Sequence, residues 1–463
     1  MNLERGKLFL VLNRLSKKEI KQLEQFLASP YFNQRADLQR LLTTWKKHRG
    51  QALSAEELYQ AIYPKRKFKE QELRLLMSYL FRLVEQFLVC EELLEKGNEQ
   101  AQQLAKVRAY QRLKLPKLAL KNLQKEKDSN LQNAEYYYEQ FQKLVVEYEF
   151  SSIENPSGDH QFQATADHLD IAYFAIKLRQ TCLSLSHQAV YKSDFKAHFI
   201  EEIIAEILRR NLQEIPAIGI YYYIYKTLTE ERAVDSFRQL KTLLFAHHQS
   251  FPNKEVRDIY VMTINHCIRA MNRGEMEYLE EVLEIYKQGL KQEYLLENGT
   301  LSRFTYNNIV RIALKVNDLN WVEWFIHEYK NSLDRSFRTS SFNFSLASLA
   351  YARKDYDTAV EKLQHFNYSD VLLNLAAKIL LLKIYYEWQA YELLEAHLDA
   401  MKNYIQRKKV IGYHQKNYLN IIGYTKQLIQ LNFYDKSAVQ VFKNAVKAEA
   451  ILTEKEWLLN RFG

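Results

Sequence analysis

The pattern of small, aromatic and aliphatic residues around Tyr356 returns 35 positions later around Tyr391, within SLASLAYARKDYDTAVEKLQHFNYSDVLLNLAAKILLLKIYYEWQAYELLEAHLD, Ser345 to Asp399. A period of that size marks stacked helical hairpins, because each unit carries an apolar stripe that it cannot bury alone. Taking the aromatic residue as the opening of each second helix, the register extends both ways. EYLEEVLEIYK from Glu277 and NWVEWFIHEYK from Asn320 align without a gap and set Tyr278 opposite Trp321; FYDKSAVQVF sets Tyr434 in the same role. The anchors therefore fall at 278, 321, 356, 391 and 434. The two longer intervals hold KQGLKQEYLLENGT and KNYIQRKKVIGYHQ, polar and glycine-bearing stretches of the kind that lengthen loops. The expectation is a series of antiparallel helix pairs, stacked in sequence order, with no β-sheet.

LASLAYARKDYDTAVEKL resembles a tetratricopeptide repeat. Leu346 and Ala347 stand at the close-contact positions of the first helix, Asp355 and Tyr356 open the second, and Ala359 takes the small-residue position. Two features depart from the family pattern: Lys354 stands where a turn glycine is usual, and no proline closes the second helix. The resemblance implies an all-α, TPR-like α-solenoid whose concave face grips extended peptides.

Composition agrees with an all-α chain. Glycine and proline number 11 and 6 in 463 residues, and every proline lies at or before Pro252, which suits long uninterrupted helices beyond it. No sustained period-two alternation appears. Cys90, Cys182 and Cys267 are too few and too far apart for a disulfide framework, so a reducing cytoplasm is the expected compartment. The apolar run in MNLERGKLFLVLNRLSKKE is broken by Asn13 and Arg14, and VLLNLAAKILLLKIYY is interrupted by Lys378 and Lys383. Neither a signal peptide nor a membrane span is expected.

Three regions follow from the chain order: a basic helical N-terminal domain over 1–97, degenerate helical hairpins over 98–155, and the α-solenoid over 156–463. Capping boxes at Ser16–Glu19 and Ser54–Glu57 open two helices of the first region, and Ser29-Pro30 stops the earlier one after the stripe Ile20, Leu23, Phe26 and Leu27. A long helix from Glu70 to about Lys96 follows, with Leu73, Leu76, Leu80, Val84 and Phe87 on its buried side. From Ser54 to Leu88 this outline is similar to the winged helix-turn-helix of bacterial regulators that carry tetratricopeptide-like repeats, although no hairpin wing follows. In the second region, AYQRLKLPKLALKNLQKEK breaks at Leu115-Pro116, and Ala119 takes the small position of its second helix. NPSGD, Asn155 to Asp159, is the strongest turn. In the third, Leu169, Tyr173, Ile176 and Leu183 recur at helical spacing beside Cys182. DHLDIAYFAIKLRQTCLSLSHQAVYKSDFK, together with SKKEIKQLEQFLASPYFN, resembles a group of uncharacterised all-helical cytoplasmic proteins from Bacteroidetes, a resemblance that brings no activity with it.

Net charge is +9, and it sits at the front: residues 1–127 carry 26 Lys and Arg against 14 Asp and Glu. Runs such as YPKRKFK make nucleic acid a possible partner of residues 1–127, with solvated helix faces as the simpler account.

No phosphate loop, HExxH, paired CxxC or GxSxG occurs, so no cofactor, metal or catalytic residue is assigned and the chain is read as non-enzymatic. His266-Cys267 are adjacent in a helical stretch, and adjacent helical residues diverge by about 100°, which argues against a Cys-His pair. Tyr221, Tyr222, Tyr223 and Tyr225 read as core and rim residues. One polar pattern recurs with the hairpins. TINHCIRAMNRG aligns with TYNNIVRIALKVND, matching Asn265 and Arg269 to Asn307 and Arg311; Asn343, Lys378 and Asn420 take the Asn position in later units. Amides there suit a ligand's backbone and cations suit its carboxylates. The alternative is that each Asn holds a neighbouring helix in register. The expected function is a scaffold or adaptor that binds a peptide or protein surface.

Overall fold

The computed structural model describes residues 6–49, 53–94, 99–123, 130–154, 157–191, 194–364, 371–407 and 413–462. Lys125–Ser129, Asn155–Pro156 of the strongest turn, and Lys408–Gly412 of the last long loop lie outside the described residues. The described residues are almost wholly helical. They divide into two compact units, residues 1–129 with 142–162, and residues 130–141 with 163–463.

The first unit begins with α1 (Lys7–Arg14), α2 (Lys17–Ala28), α3 (Ala36–Lys47), α4 (Ala55–Ile62) and α5 (Glu70–Leu94). Both capping boxes form: Ser16 and Ser54 accept from the backbone N–H of Glu19 and Glu57, whose carboxylates accept in return from the serine N–H groups. Each satisfies two donors that a helix start leaves orphaned. The apolar stripes converge on one core containing Leu12, Leu23, Leu27, Leu41, Leu58, Leu73, Leu80 and Phe87. Beyond it, α6 (Glu99–Arg112) and α7 (Pro116–Leu123) pack as a hairpin around Val107, Ala119 and Leu123. No strand follows α5 among the described residues of this unit, so the helix pair α4–α5 has no wing there.

Helix α8 (Ala134–Glu154) contributes to both units. Its first turns belong to the second, where Gln132 N–H donates to the Ser250 carbonyl (2.9 Å) and Glu135 pairs with Arg179 (2.9 Å). The second unit continues with α9 (Phe162–Tyr191), α10 (Ile200–Arg209), α11 (Pro216–Thr229) and α12 (Val234–His247). In α9 most of the stripe read from the sequence faces outward: Leu169, Tyr173 and Ile176 are exposed at 41%, 49% and 46%, while Leu183 is half-buried against the core, and Ile171, Ala175, Leu178 and Cys182 fill the inner face. That inner face alternates aliphatic Ile171 and Leu178 with the smaller Ala175 and Cys182, a surface into which ridges of a neighbouring helix can fit.

Five helix pairs follow: α13 (Asn253–Asn272) with α14 (Tyr278–Lys291), α15 (Arg303–Lys315) with α16 (Leu319–Glu328), α17 (Arg335–Ala352) with α18 (Tyr356–Gln364), α19 (Val371–Glu387) with α20 (Tyr391–Arg407), and α21 (Tyr413–Gln430) with α22 (Lys436–Ala448). From α13 to α21 each helix packs on the next in sequence order, and α15, α17 and α19 also touch in turn. Tyr278, Tyr356 and Tyr391 are the first residues of their helices. Trp321 is the third residue of α16, whereas Tyr434 precedes α22 and is 96% exposed, so it anchors nothing.

The first four pairs turn in the same way. Gly274, Asn317, Lys354 and Gln389 have positive φ, between 58° and 97°. Their N–H groups reach back to Met271, Leu314, Tyr351 and Tyr386, and the next residue's N–H closes onto Ala270, Ala313, Ala350 and Tyr385. This is the Schellman arrangement, which satisfies the last carbonyls of a helix by backbone alone. Lys114 closes the α6–α7 hairpin identically, with φ of 58° and the Leu115 N–H on the Tyr110 carbonyl. Lys354 thus does the work of the usual glycine. Behind its turn Ala347 and Ala359 are fully buried, so a larger side chain at either costs about 1–3 kcal/mol by overpacking.

One expectation is corrected. The α14–α15 loop contains a two-stranded ladder, β1 (Leu296–Glu297) with β2 (Thr300–Leu301), joined at Asn298-Gly299. Both turn residues have positive φ, the conformation that makes Asn-Gly the preferred two-residue hairpin turn.

Candidate functional site

The closing carbonyls Ala270, Ala313, Ala350 and Tyr385 give a structural ruler for the first helices. Measured from them, Asn343 and Lys378 share one position, the one filled by the fully buried Thr263 and Tyr306 in the two preceding helices. Asn265 corresponds to Asn308, so Asn307 lies one residue further round, and Arg269 corresponds to Ile312. One residue is about 100° of rotation, so the six predicted residues do not form one stripe. Asn265, Arg269, Asn307, Asn343 and Lys378 are half-buried, and Arg311 is exposed.

Their surroundings are short of partners. The Arg269 Nη2 and Asn307 Oδ1 atoms are buried without a hydrogen bond, as are His266 Nε2, Ser341 Oγ and Asn417 Oδ1 on the same set of helices. A buried polar atom left unpaired costs about 1–3 kcal/mol. No carboxylate pairs with Arg269, Arg311 or Lys378 among the described residues. Burial, and then repulsion from Arg273, pushes the Arg269 guanidinium below its ordinary pKa; burial and the nearby Arg407 do the same to Lys378. Some cations elsewhere in the unit are paired, among them Lys241 with Glu281 and Glu284, Lys287 with Asp318, and Arg353 with Glu323.

The last hairpins present a filled counterpart. After α22 the chain returns through Glu449–Glu454 into the short helix α23 (Lys455–Leu459) and a final turn to Phe462. The side-chain amide of Asn420 donates to the Ile451 carbonyl (2.8 Å), and Lys383 pairs with Glu454 (2.9 Å). Glu387 Oε1 accepts from Trp457 Nε1 (2.8 Å), Arg461 Nη1 (2.8 Å) and the Tyr351 hydroxyl (2.7 Å), while its Oε2 accepts from Tyr356 (3.0 Å). Burial alone would raise the Glu387 carboxyl; these donors and the Arg461 charge outweigh it and hold it below its ordinary pKa. On the same ruler Lys383 occupies the position of Arg311.

The sequence reading did not find Glu387, Trp457 or Arg461. A signal exists: Glu387 is the last residue of α19, where the helix dipole favours a cation. An acid there needs donors from elsewhere.

The remaining sequence candidates are structural. His266 is buried between Phe237 and Tyr278, donates through Nδ1 to the Thr227 carbonyl, and has its pKa pushed down to about 4 by burial. Burial pushes the Cys267 thiol up, away from nucleophilic use. Tyr221 and Tyr222 are buried, and Tyr223 and Tyr225 half-buried. In the basic front, Arg35, Lys46, Lys69 and Arg74 pair with Asp37, Glu24, Glu72 and Glu70, and Arg66 and Arg82 lie over Tyr63 and Tyr79. No described helix is long and apolar enough to cross a membrane. No family model, curated protein or solved structure matches the chain.

Proposed function

We propose that the helix pairs stack as a TPR-like α-solenoid that serves as a non-enzymatic scaffold, binding a protein segment on the first helices α13, α15, α17 and α19. One observation carries this reading. Arg311, exposed and without a carboxylate, holds the hairpin position from which Lys383 binds Glu454 of the return segment. Asn420 likewise donates to a segment's backbone, the role proposed for Asn265, Asn307 and Asn343, while Arg269, Arg311 and Lys378 meet carboxylates of the partner. The three cysteines are free, which suits a cytoplasmic setting.

The test is affinity capture from the native host, followed by rebinding of the identified partner to purified protein. The double variant Asn307→Ala/Arg311→Ala is expected to weaken rebinding about tenfold, as loss of a charge-assisted contact does, with thermal unfolding nearly unchanged. Full rebinding by a folded double variant would remove this face from the interface.

A further inference from the structure

We propose that the face of α17, α19 and α21 around Glu387 is a second recognition site, specific for a short helical protein segment carrying a large aromatic residue and an arginine one turn later, and that Glu449–Phe462 fills it in cis. The site draws on none of the six residues of the face above; the two readings share only the contacts of Lys383 with Glu454 and of Asn420 with Ile451, and the variants that test each lie at different residues.

Two of the four groups that hold Glu387 come from the host itself. Tyr351 and Tyr356 donate to the two oxygens of Glu387, leaving its remaining acceptor capacity aimed at the Trp457 indole N–H and the Arg461 guanidinium. A carboxylate oriented by two neighbours loses little freedom on binding. Lys383 lies over the Tyr351 ring (4.9 Å) and takes the carboxylate of Glu454, and Asn420 takes the Ile451 backbone carbonyl ahead of the helix that carries the tryptophan. The backbone carbonyl is thus met by Asn420 and the acid by Lys383, while Glu387 Oε1 takes both the indole N–H and the guanidinium.

The segment itself has the anatomy of a ligand. Trp457 is 93% covered, packs edge-on against Tyr386 (5.4 Å), and carries the Arg461 guanidinium over its ring (5.1 Å). Tryptophan and arginine are the residues that dominate binding interfaces. A five-residue helix has no stability of its own in water, so the face orders it. The chain enters that helix through Glu454 at φ 54° and ψ 29°, a left-handed conformation unfavourable for a residue with a Cβ.

The experiment uses the full chain and a labelled synthetic peptide, EAILTEKEWLLNRF, the sequence of Glu449–Phe462. Trp457→Ala/Arg461→Ala loosens the cis segment; by fluorescence anisotropy this variant is expected to bind the peptide at least about tenfold more tightly than the wild type. Adding Glu387→Gln is expected to abolish the gain, as is replacing the peptide's own tryptophan and arginine by alanine. A folded double variant that ignores the peptide overturns the proposal, as does undiminished binding after Glu387→Gln. If the double variant does not fold, hydrogen exchange on the wild type decides. Amides of 455–462 exchanging roughly tenfold faster than those of α21 show a segment that opens by itself; exchange in step with α21 marks a fixed part of the core and overturns the proposal. A dimeric mass for the double variant assigns the site to a second copy of the chain and overturns the assignment to a partner.

Discussion

Two carboxylates on first helices each clasp a distant stretch of the chain, and they do so in different ways. Glu255 on α13 accepts from Tyr221 (2.7 Å) and from Asn133 (3.2 Å), and lies 3.4 Å from Arg179. It ties the start of α8 into a continuous core at 7% exposure. Glu387 on α19 has four donors, but two of them come from one short segment and its side chain is 17% exposed. More hydrogen bonds therefore do not make a deeper place in the fold. Where the donors belong to long helices the clasp is part of the fold, and where half of them belong to a short return segment it resembles a bound ligand.

The sharpest way to break this contrast is to remove each carboxylate. Glu255→Ala takes a charged acceptor from the buried Tyr221 hydroxyl and the Asn133 amide, each worth about 1.5–3 kcal/mol, and is expected to cost about 3–5 kcal/mol in denaturant unfolding. Similar losses at Glu255 and Glu387 would erase the distinction.

Acid separates the two regions by pH. His266, beside the α12–α14 core, is held neutral with its pKa lowered from 6.5 to about 4, so the unfolded chain binds its proton first. Its stabilisation is complete above 6.5 and is lost as pH falls from there towards 4, up to about 3 kcal/mol. Glu387 also has a lowered pKa, and its contribution persists until pH falls below the ordinary 4.5. Melting temperature against pH is expected to decline first by the histidine, and His266→Phe is expected to flatten the upper part of that decline.

Glu387→Gln keeps an acceptor but loses the charge, and is expected to cost about 1.5–3 kcal/mol at most, with the loss seen chiefly as earlier exchange of 455–462. The smallest effect belongs to a turn. Lys354→Gly relieves a left-handed residue at the expense of unfolded-state entropy, and a net gain of about 0.5 kcal/mol is expected in thermal unfolding. A loss there would mean that the Lys354 side chain contributes a contact of its own.

The hairpins were legible because the aromatic anchors and small residues sit where helices touch, and Ala347 and Ala359 are buried as the repeat pattern requires. Asn298-Gly299 was readable as a hairpin turn by its dipeptide alone, yet its flanking strands are two residues long, too short for any alternation to show. The α9 stripe misled because apolar residues line two faces of that helix, Leu169, Tyr173 and Ile176 on one and Ile171, Leu178 and Cys182 on the other, and periodicity alone does not tell an inner face from an outer one. The polar pattern slipped by one residue between α13 and α15 because sequence alignment follows side chains, whereas helix register follows the turn carbonyls. Glu387 stayed hidden since its partners lie 31 to 74 residues away in the chain.

The repeated turn has a consequence for how such a chain is recognised at all. Its corner is written in main-chain hydrogen bonds, and glycine, asparagine, lysine and glutamine all occupy it. A shape specified by the backbone leaves the side chains at that point free of any spelling rule. The architecture is then inherited through spacing and packing volume, and the letters by which one repeat would be matched to another can drift away while the corner stays the same.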